Sequence, residues 1–319
     1  MPRFDYVTVG HVTLDVILDP PDGDPTPATP AAPGADTGST GRPAPDEALI
    51  GGRRQPGGGA FYSALQAARL GLRTLIVTRG VPEEIERLLA PYAGELELRV
   101  QPASSTTTLQ TRDAPGGVRR QRLLAWAGPM APPGDVDAAI LHLAPVARET
   151  PPDFTGGADL VGLTPQGLVR GWGADGEIAP AALARELLPR RLDAAVLSAD
   201  ELPACAELLP PTAGAIVAVT HGAEPTAVHV PGAPPLRVPV PAVADVGDDL
   251  GAGDVFAAAF FTALHEGVAP EEAARCANAA AAVRIAGAGP AAVGSREEVV
   301  ARVAGAGRGG DEEARSGPA

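Results

Sequence analysis

A doubly wound, mostly parallel α/β sheet with helices on both faces is the fold class the sequence predicts, and three observations predict it. Short continuous apolar runs recur at residues 138–143, 159–163, 194–197 and 215–219. Such runs suit strands covered on both faces. Helical stretches at residues 181–188 and 201–209 alternate with them. From residue 252 the chain reads as nearly continuous helix, over 252–266, 270–286 and 296–303.

The remaining elements follow in order. Residues 4–9 form a first strand that ends at Gly10, and residues 12–18 a second with Asp15 in its middle. Residues 19–46 are rich in Pro, Gly, Thr and Ala and hold almost no large apolar side chain. They bury too little surface to offset the entropy of ordering, so a disordered insertion is expected. Gly57, Gly58 and Gly59 open a helix over 60–70, which Gly71 stops. Residues 75–78 make a short buried strand. Residues 82–89 make a helix with Pro82 in its first turn and Glu83 and Glu84 at the positive end of its dipole. Strands at 106–112 and 118–125 flank the turn sequence D-A-P-G-G, which predicts a β-hairpin, a small β accessory to the sheet. The tail from residue 304 is Gly-rich and charged, and disorder is expected there. Residues 1–303 thus read as one domain.

Of the 319 residues, 45% are hydrophobic, enough for a sizeable core, and none lie in an apolar run approaching the ~20 residues of a membrane helix. The chain opens as a strand rather than a leader with a basic head, so a cytoplasmic protein is expected. A net charge of −14 repels phosphate backbones and anionic lipid, which argues against nucleic acid and membrane partners. Cys205 and Cys276 lie in helix-like segments without metal-ligand spacing and read as small core residues.

The chemistry centres on "GDDLGAGDVF", residues 247–256. Gly251, Ala252 and Gly253 stand where a loop becomes a helix. Free amides of a first helical turn, together with the helix dipole, make an anion site suited to a transferring phosphoryl group. Asp254 would only repel a bound phosphate. It makes sense as a base that takes a proton from a hydroxyl nucleophile while the amides hold the phosphoryl group. The bland alternative is a helix start with an aspartate favoured by the dipole. No Lys-Ser or Lys-Thr follows the glycines, so this is not a Walker loop.

These residues resemble a family. "DDLGAGDVF" resembles the D-T-T-G-A-G-D-x-F signature of the PfkB, or ribokinase-like, carbohydrate kinases. "PGGGAFYSALQAARLG", residues 56–71, resembles that family's Gly-Gly signature, whose helix ends in Ala-Arg-Leu-Gly. "VTVGHVTLD", "LSADE", "VTHGAE" and "CANAAAAV" resemble weaker family motifs in the same order along the chain. The resemblance implies ATP-dependent phosphorylation of a hydroxyl on a small polyol, sugar or nucleoside. It makes Asp254 the base and the amides of Gly251, Ala252 and Gly253 the anion hole. Asp15, Gly58 and Gly59 would touch the acceptor. Glu201 would help place Mg²⁺ through water, and Ser198, Thr220, Gly222 and Asn278 would lie along the nucleotide. Residues of about 11–18 and 104–126 would form a β-lid that excludes water. The resemblance leaves a monovalent cation, and a monomer or a homodimer, open.

The chain departs from the family pattern at three places. D-T-T becomes Asp248-Asp249-Leu250, and the extra carboxylate bears on metal or cation binding near the phosphates. The asparagine of N-x-x-E becomes Ser198. The asparagine after the double glycine, which contacts ribose or fructose, is absent, and Phe61 and Tyr62 fill that region.

For the acceptor, "LVGLTPQGLVRGW" places Gln166 and Arg170 after the C-terminal end of a strand, the functional edge of such sheets. An amide suits vicinal hydroxyls. This stretch, "GGGAFYSA" and "STTTLQTR" look like the corresponding segments of myo-inositol kinases, so a cyclitol is favoured. The alternatives are a surface Arg170 paired with Asp175 or Glu177, and a Gln166 facing water. His11 is read as packed or solvated rather than as a hydroxyl contact. His221 occupies a variable position of its motif, and Trp126 and Trp172 read as packing residues. A nucleoside kinase and a non-catalytic ligand-binding protein are the competing functions, and a scarcity of aromatics (3%) argues against a base-stacking pocket.

Overall fold

The computed structural model describes residues 3–18, 52–113, 119–132, 136–153, 157–208 and 214–315. The expected insertion at 19–46, the hairpin tip at 114–118 and residues 316–319 of the tail lie outside them.

The chain opens with β1 (Phe4–Val9), β2 (Thr13–Leu18) and β3 (Arg53–Gly57), then α1 (Gly59–Arg69), β4 (Thr74–Gly80), α2 (Pro82–Leu89) and β5 (Glu97–Pro102). Strands β6 (Thr108–Asp113), β7 (Arg119–Ala125), β8 (Asp137–Leu143) and β9 (Gly157–Leu163) follow. A short ribbon, β10 (Arg170–Trp172) with β11 (Ile178–Pro180), precedes β12 (Ala194–Ser198), β13 (Ile216–His221), β14 (Glu224–His229) and β15 (Leu236–Val238). The chain closes with α3 (Ala252–His265), α4 (Pro270–Ile285) and α5 (Arg296–Arg315). Helix α5 continues past Val303, where the sequence suggested disorder. Glu312, Glu313 and Ala314 beyond the glycines are good helix formers.

Nine strands form one sheet in the order β15-β14-β13-β12-β9-β8-β1-β4-β5. All neighbours from β13 to β5 pair in parallel, and β14 and β15 add antiparallel strands at one edge. Strand side chains alternate between faces. Tyr6, Ile76, Ile140, Leu160, Val196 and Ala218 point into the cluster formed with α1, α3 and α4. Val7, Val77, Leu141, Val161 and Leu163 point the other way, against Leu183, Leu187, Leu188 and Leu192.

That second face is where the sequence reading fails locally. Residues 181–188 are extended apart from a 3₁₀ turn at Arg185–Leu187, and residues 201–208 are turns ending in a 3₁₀ segment at Ala206–Leu208. Pro189 pushes Leu188 out of the helical region (ψ 141°), and Pro203 interrupts the second stretch. Cys205 therefore lies in a turn, buried, while Cys276 lies on α4. The leucines still cover the sheet, because burial needs apolar surface rather than a particular backbone.

A separate four-stranded sheet, β3-β2-β6-β7, forms the lid. Strand β2 pairs β6 in parallel, and β3 and β7 flank them antiparallel. Strand β3 (R-R-Q-P-G) has no apolar alternation, and the sequence gives no sign of it.

Candidate active site

The C-terminal ends of β1, β8, β9, β12 and β13 point the same way, and the N-termini of α1 and α3 meet them there. Two glycines of the first signature stand against carboxylates at this edge. A β-carbon on Gly57 would strike the carboxylate of Asp15, and one on Gly59 would stand 2.7 Å from Oδ1 of Asp254. Close approach of side chain to backbone is what these glycines permit. Gly58 caps α1 at φ 89°.

Asp254 lies in the first turn of α3, after the left-handed cap Gly251 (φ 79°). Gly251 is required twice over, since a β-carbon there would also collide with the ring of Tyr62. Ser63 Oγ donates to the Asp254 carbonyl (3.1 Å), which ties α1 to α3. The amide of Ala252 donates back to the Asp249 carbonyl (3.1 Å), so Gly251 and Gly253 carry the amides of this turn not committed there. Burial raises the Asp254 carboxyl to about 7; Glu201 and Asp15 add to the rise and Arg170 opposes it.

Asp15 is buried on β2 and accepts from Thr13 Oγ1 (2.6 Å). Burial raises its carboxyl to about 6, against the Thr13 hydroxyl and the Arg170 charge. Arg170 is not a surface residue paired with Asp175 or Glu177. Its guanidinium donates to the Val146 carbonyl (3.2 Å) and to Oε1 of Gln121 on the lid (2.9 Å). Burial lowers its basicity, and Glu201, Asp254, Asp15 and Glu149 all act to restore it. One arginine thus lies within the electrostatic reach of four carboxylates from four parts of the chain, without pairing directly with any of them. Gln166 is exposed on the 3₁₀ turn Pro165–Val169 just before it.

Ser198 and Glu201 form a reciprocal cap. Glu201 Oε2 accepts the Ser198 amide (2.9 Å), and Ser198 Oγ accepts the Glu201 amide (3.3 Å). Serine makes this bond as asparagine would, which accounts for the departure from N-x-x-E. Thr220, one residue before the end of β13, donates from Oγ1 to the Leu197 carbonyl (3.5 Å), and Gly222 (φ 62°) makes the turn into β14.

Asn278, expected along the nucleotide, is hydrogen-bonded within the protein. Its Oδ1 accepts from Thr226 Oγ1 (2.8 Å), and its Nδ2 donates to the Pro239 carbonyl (3.1 Å) and more weakly to that of Val238 (3.4 Å). The side chain is spent on pinning α4 to β14 and to the chain after β15.

Asp248 does not face a cation site. It pairs with Arg284, whose side chain is 0% exposed (3.1 Å), and accepts the amides of Leu250 (2.9 Å) and Gly289 (3.1 Å). Burial pushes its carboxyl up, but these bonds outweigh burial and the net shift is downward. Arg284 also donates to the Leu250 carbonyl (2.6 Å), so α4 braces the loop that leads into α3.

Sequence reasoning missed Glu149. This buried carboxylate accepts the amides of His11 (2.9 Å), Val146 (2.8 Å) and Ala147 (2.6 Å), fastening the loop after β1 to the loop after β8. One partner, His11, is distant in sequence, and no pattern around residue 149 marks it. His11 is buried and packed, with Nδ1 on Thr107 Oγ1 (2.8 Å). Trp126 and Trp172 pack on each other.

The fold is that of the ribokinase-family kinases. More specifically, residues 186–296 carry a domain that matches the pfkB family carbohydrate kinases, and the whole chain has the ribokinase-like fold. A pyrophosphate-dependent kinase in the ribokinase family, complexed with a pyrophosphate analog and myo-inositol, superposes with a TM-score of 0.71 at 19% identity over 93% of this chain and 99% of that one. The Methanocaldococcus jannaschii nucleoside kinase gives 0.70 at 18% over 96% and 100%. The Arabidopsis thaliana ribokinase with ribose and ATP gives 0.66 at 20% over 95% and 99%. No curated protein sequence matches the chain. Among the described residues no helix is long and apolar enough to cross a membrane.

Proposed function

We propose that this chain transfers the terminal phosphoryl group of ATP to a hydroxyl of a small uncharged polyol or sugar, with a cyclitol such as myo-inositol favoured. The observation that carries the reading is the meeting of Asp15 and Asp254 at one sheet edge, each against a signature glycine, with Arg170 as their shared counter-charge. Asp254 accepts the proton of the attacking hydroxyl. Its elevated pKa matches that task near neutral pH. The amides of Gly251 and Gly253 face the charge that builds on the transferring group. Asp15 accepts hydrogen bonds from neighbouring hydroxyls, and Gln166 lies at the rim where it can reach another. The carboxylate excess suits an uncharged acceptor and repels sugar phosphates and sugar acids.

Ser198, Thr220 and Gly222 fall on the donor side. A groove of about 690 Å³, lined by Pro241, Ala242, Ala282, Val283 and Ala286 and also by the charged Glu298 and Arg302, borders the loop leading to the proposed anion hole. Its size and apolar floor suit a nucleoside, a feature pyrophosphate would leave unused. Among the described residues no three ligating side chains converge as a metal cage. Mg²⁺ does not need one, because it keeps its waters and binds mostly through donor phosphates. Glu201 fits as the carboxylate that holds such a hydrated ion, which would neutralise donor charge.

A coupled assay with either Mg·ATP or Mg·pyrophosphate, run across inositols, ribose, fructose, fructose phosphates and nucleosides, tests the reading. We expect turnover with ATP and a cyclitol. Activity confined to nucleosides would keep the mechanism and move the acceptor. Activity with pyrophosphate alone would overturn the donor. Silence with ATP bound would favour a binding protein on a kinase fold.

A further inference from the structure

Asp248 and Asp249 are neighbours with opposite attachments. Asp248 is held by the buried Arg284 of α4, whereas the Asp249 carboxylate pairs with Arg119 of the lid strand β7 (2.6 Å). The Asp249 carbonyl accepts the amide of Ala252, so its carboxylate stands within one turn of the anion hole. A carboxylate there repels donor phosphates. The chain places it where the resembling signature has threonine, and it also places an arginine on the lid against it. The Asp249 and Arg119 side chains remain 58% and 35% exposed, so the pair adds little to stability. Its consequence is local and electrostatic.

We propose that Arg119 is a positioning residue for the phosphoryl donor, acting by cancelling the charge of Asp249 beside the anion hole. The inference rests on residues 251–254 being the phosphoryl-transfer site. It predicts a distinctive pattern among three variants of the full chain. Arg119→Gln leaves Asp249 uncompensated and weakens Mg·ADP binding by up to about tenfold, the size expected for one partly screened charge at short range from a polyanion. Asp249→Asn alone binds Mg·ADP at least as tightly as the parent. The double variant returns to within about twofold of the parent, because the charge that Arg119 opposed is gone.

Mg·ADP affinity is measured by calorimetry at low and at 0.5 M salt, alongside donor and acceptor KM. The penalty in Arg119→Gln should shrink at high salt, and acceptor KM should stay unchanged. An equally impaired single and double variant would overturn the proposal, since Arg119 would then act on the donor or on lid packing directly. So would an Arg119→Gln variant with unaltered affinity. A chain that shows the expected binding pattern but no turnover would keep the charge pairing of Arg119 with Asp249 in nucleotide binding and overturn both the donor-positioning role and the kinase reading. Failure of the parent to bind Mg·ADP would overturn both.

Discussion

The nine-stranded body and the four-stranded lid are attached to the chain by different forces. Body strands alternate into apolar clusters on both faces, and no single contact can be released without exposing a large area. The lid shares one small apolar seam with the body, made by Leu109, Leu123, Val146 and Ala147. Its other attachments are directed bonds, among them Gln121 with Arg170, Arg119 with Asp249 and Gln55 with the Tyr62 hydroxyl (3.4 Å). Water can replace such bonds one at a time at small net cost. A cover that must admit substrate and then exclude water is served by that kind of attachment. The contrast predicts that body variants lose stability while lid variants alter kinetics.

Asp254 is the sharpest test, because it sits on the body, where its burial costs stability, and is placed for chemistry. Asp254→Asn is expected to lower kcat by about 10³-fold, within the range for a lost general base, and to leave Mg·ADP binding intact. The parent rate should rise with pH through about 7 as Asp254 gives up its proton. Stability moves the other way. Asp15 and Asp254 have folded values of about 6 and about 7, above the ordinary 3.8. The folded state thus holds protons that the unfolded chain releases, and stability falls between about pH 4 and 7 as both ionise. Asp254→Asn should therefore show a higher Tm than the parent at pH 8 and no gain at pH 4. A lower Tm at pH 8 would mean the carboxylate is structurally paired.

Arg284 tests the body in the opposite sense. Its side chain is wholly buried, and its partners Asp248 and Leu250 belong to the anion-hole loop. Arg284→Ala leaves the half-buried Asp248 without its charge partner, and the cost should approach, from below, the ~3–5 kcal/mol of a broken fully buried pair. Chemical denaturation should show that loss. If stability is instead unchanged while donor KM rises, the loop is attached as loosely as the lid.

The same contrast explains what could be read from sequence. Body strands announce themselves because burial on both faces demands apolar runs, as at residues 138–143 and 194–197. The anion-hole turn was legible because glycine, aspartate and a helix start occur together. Residues 181–188 misled, since leucines spaced for a sheet-covering face look helical until Pro180 and Pro189 are weighed. Strand β3 was invisible because an edge strand of a partly exposed lid needs no apolar alternation. Glu149, Arg170 and Asn278 take partners from distant segments, and a local window cannot assign those.

Gln121 carries the smallest expected effect and bears most directly on the comparison. Its Oε1 accepts from Arg170, and its Nε2 donates to Thr111 Oγ1 (3.2 Å), so it joins the lid's own sheet to the charged centre of the site. Gln121→Ala removes that link and leaves the apolar seam in place. Water can take over the Arg170 hydrogen bond, so the stability change should stay within about 1 kcal/mol. Acceptor KM should rise a few-fold, because Arg170 then has only the Val146 carbonyl to orient it beside Asp15 and Asp254. Donor KM should hold, since Arg119 and Asp249 are untouched. A Tm loss as large as that of Arg284→Ala would show that the lid is built into the body's folding unit, and the division between the two would fail.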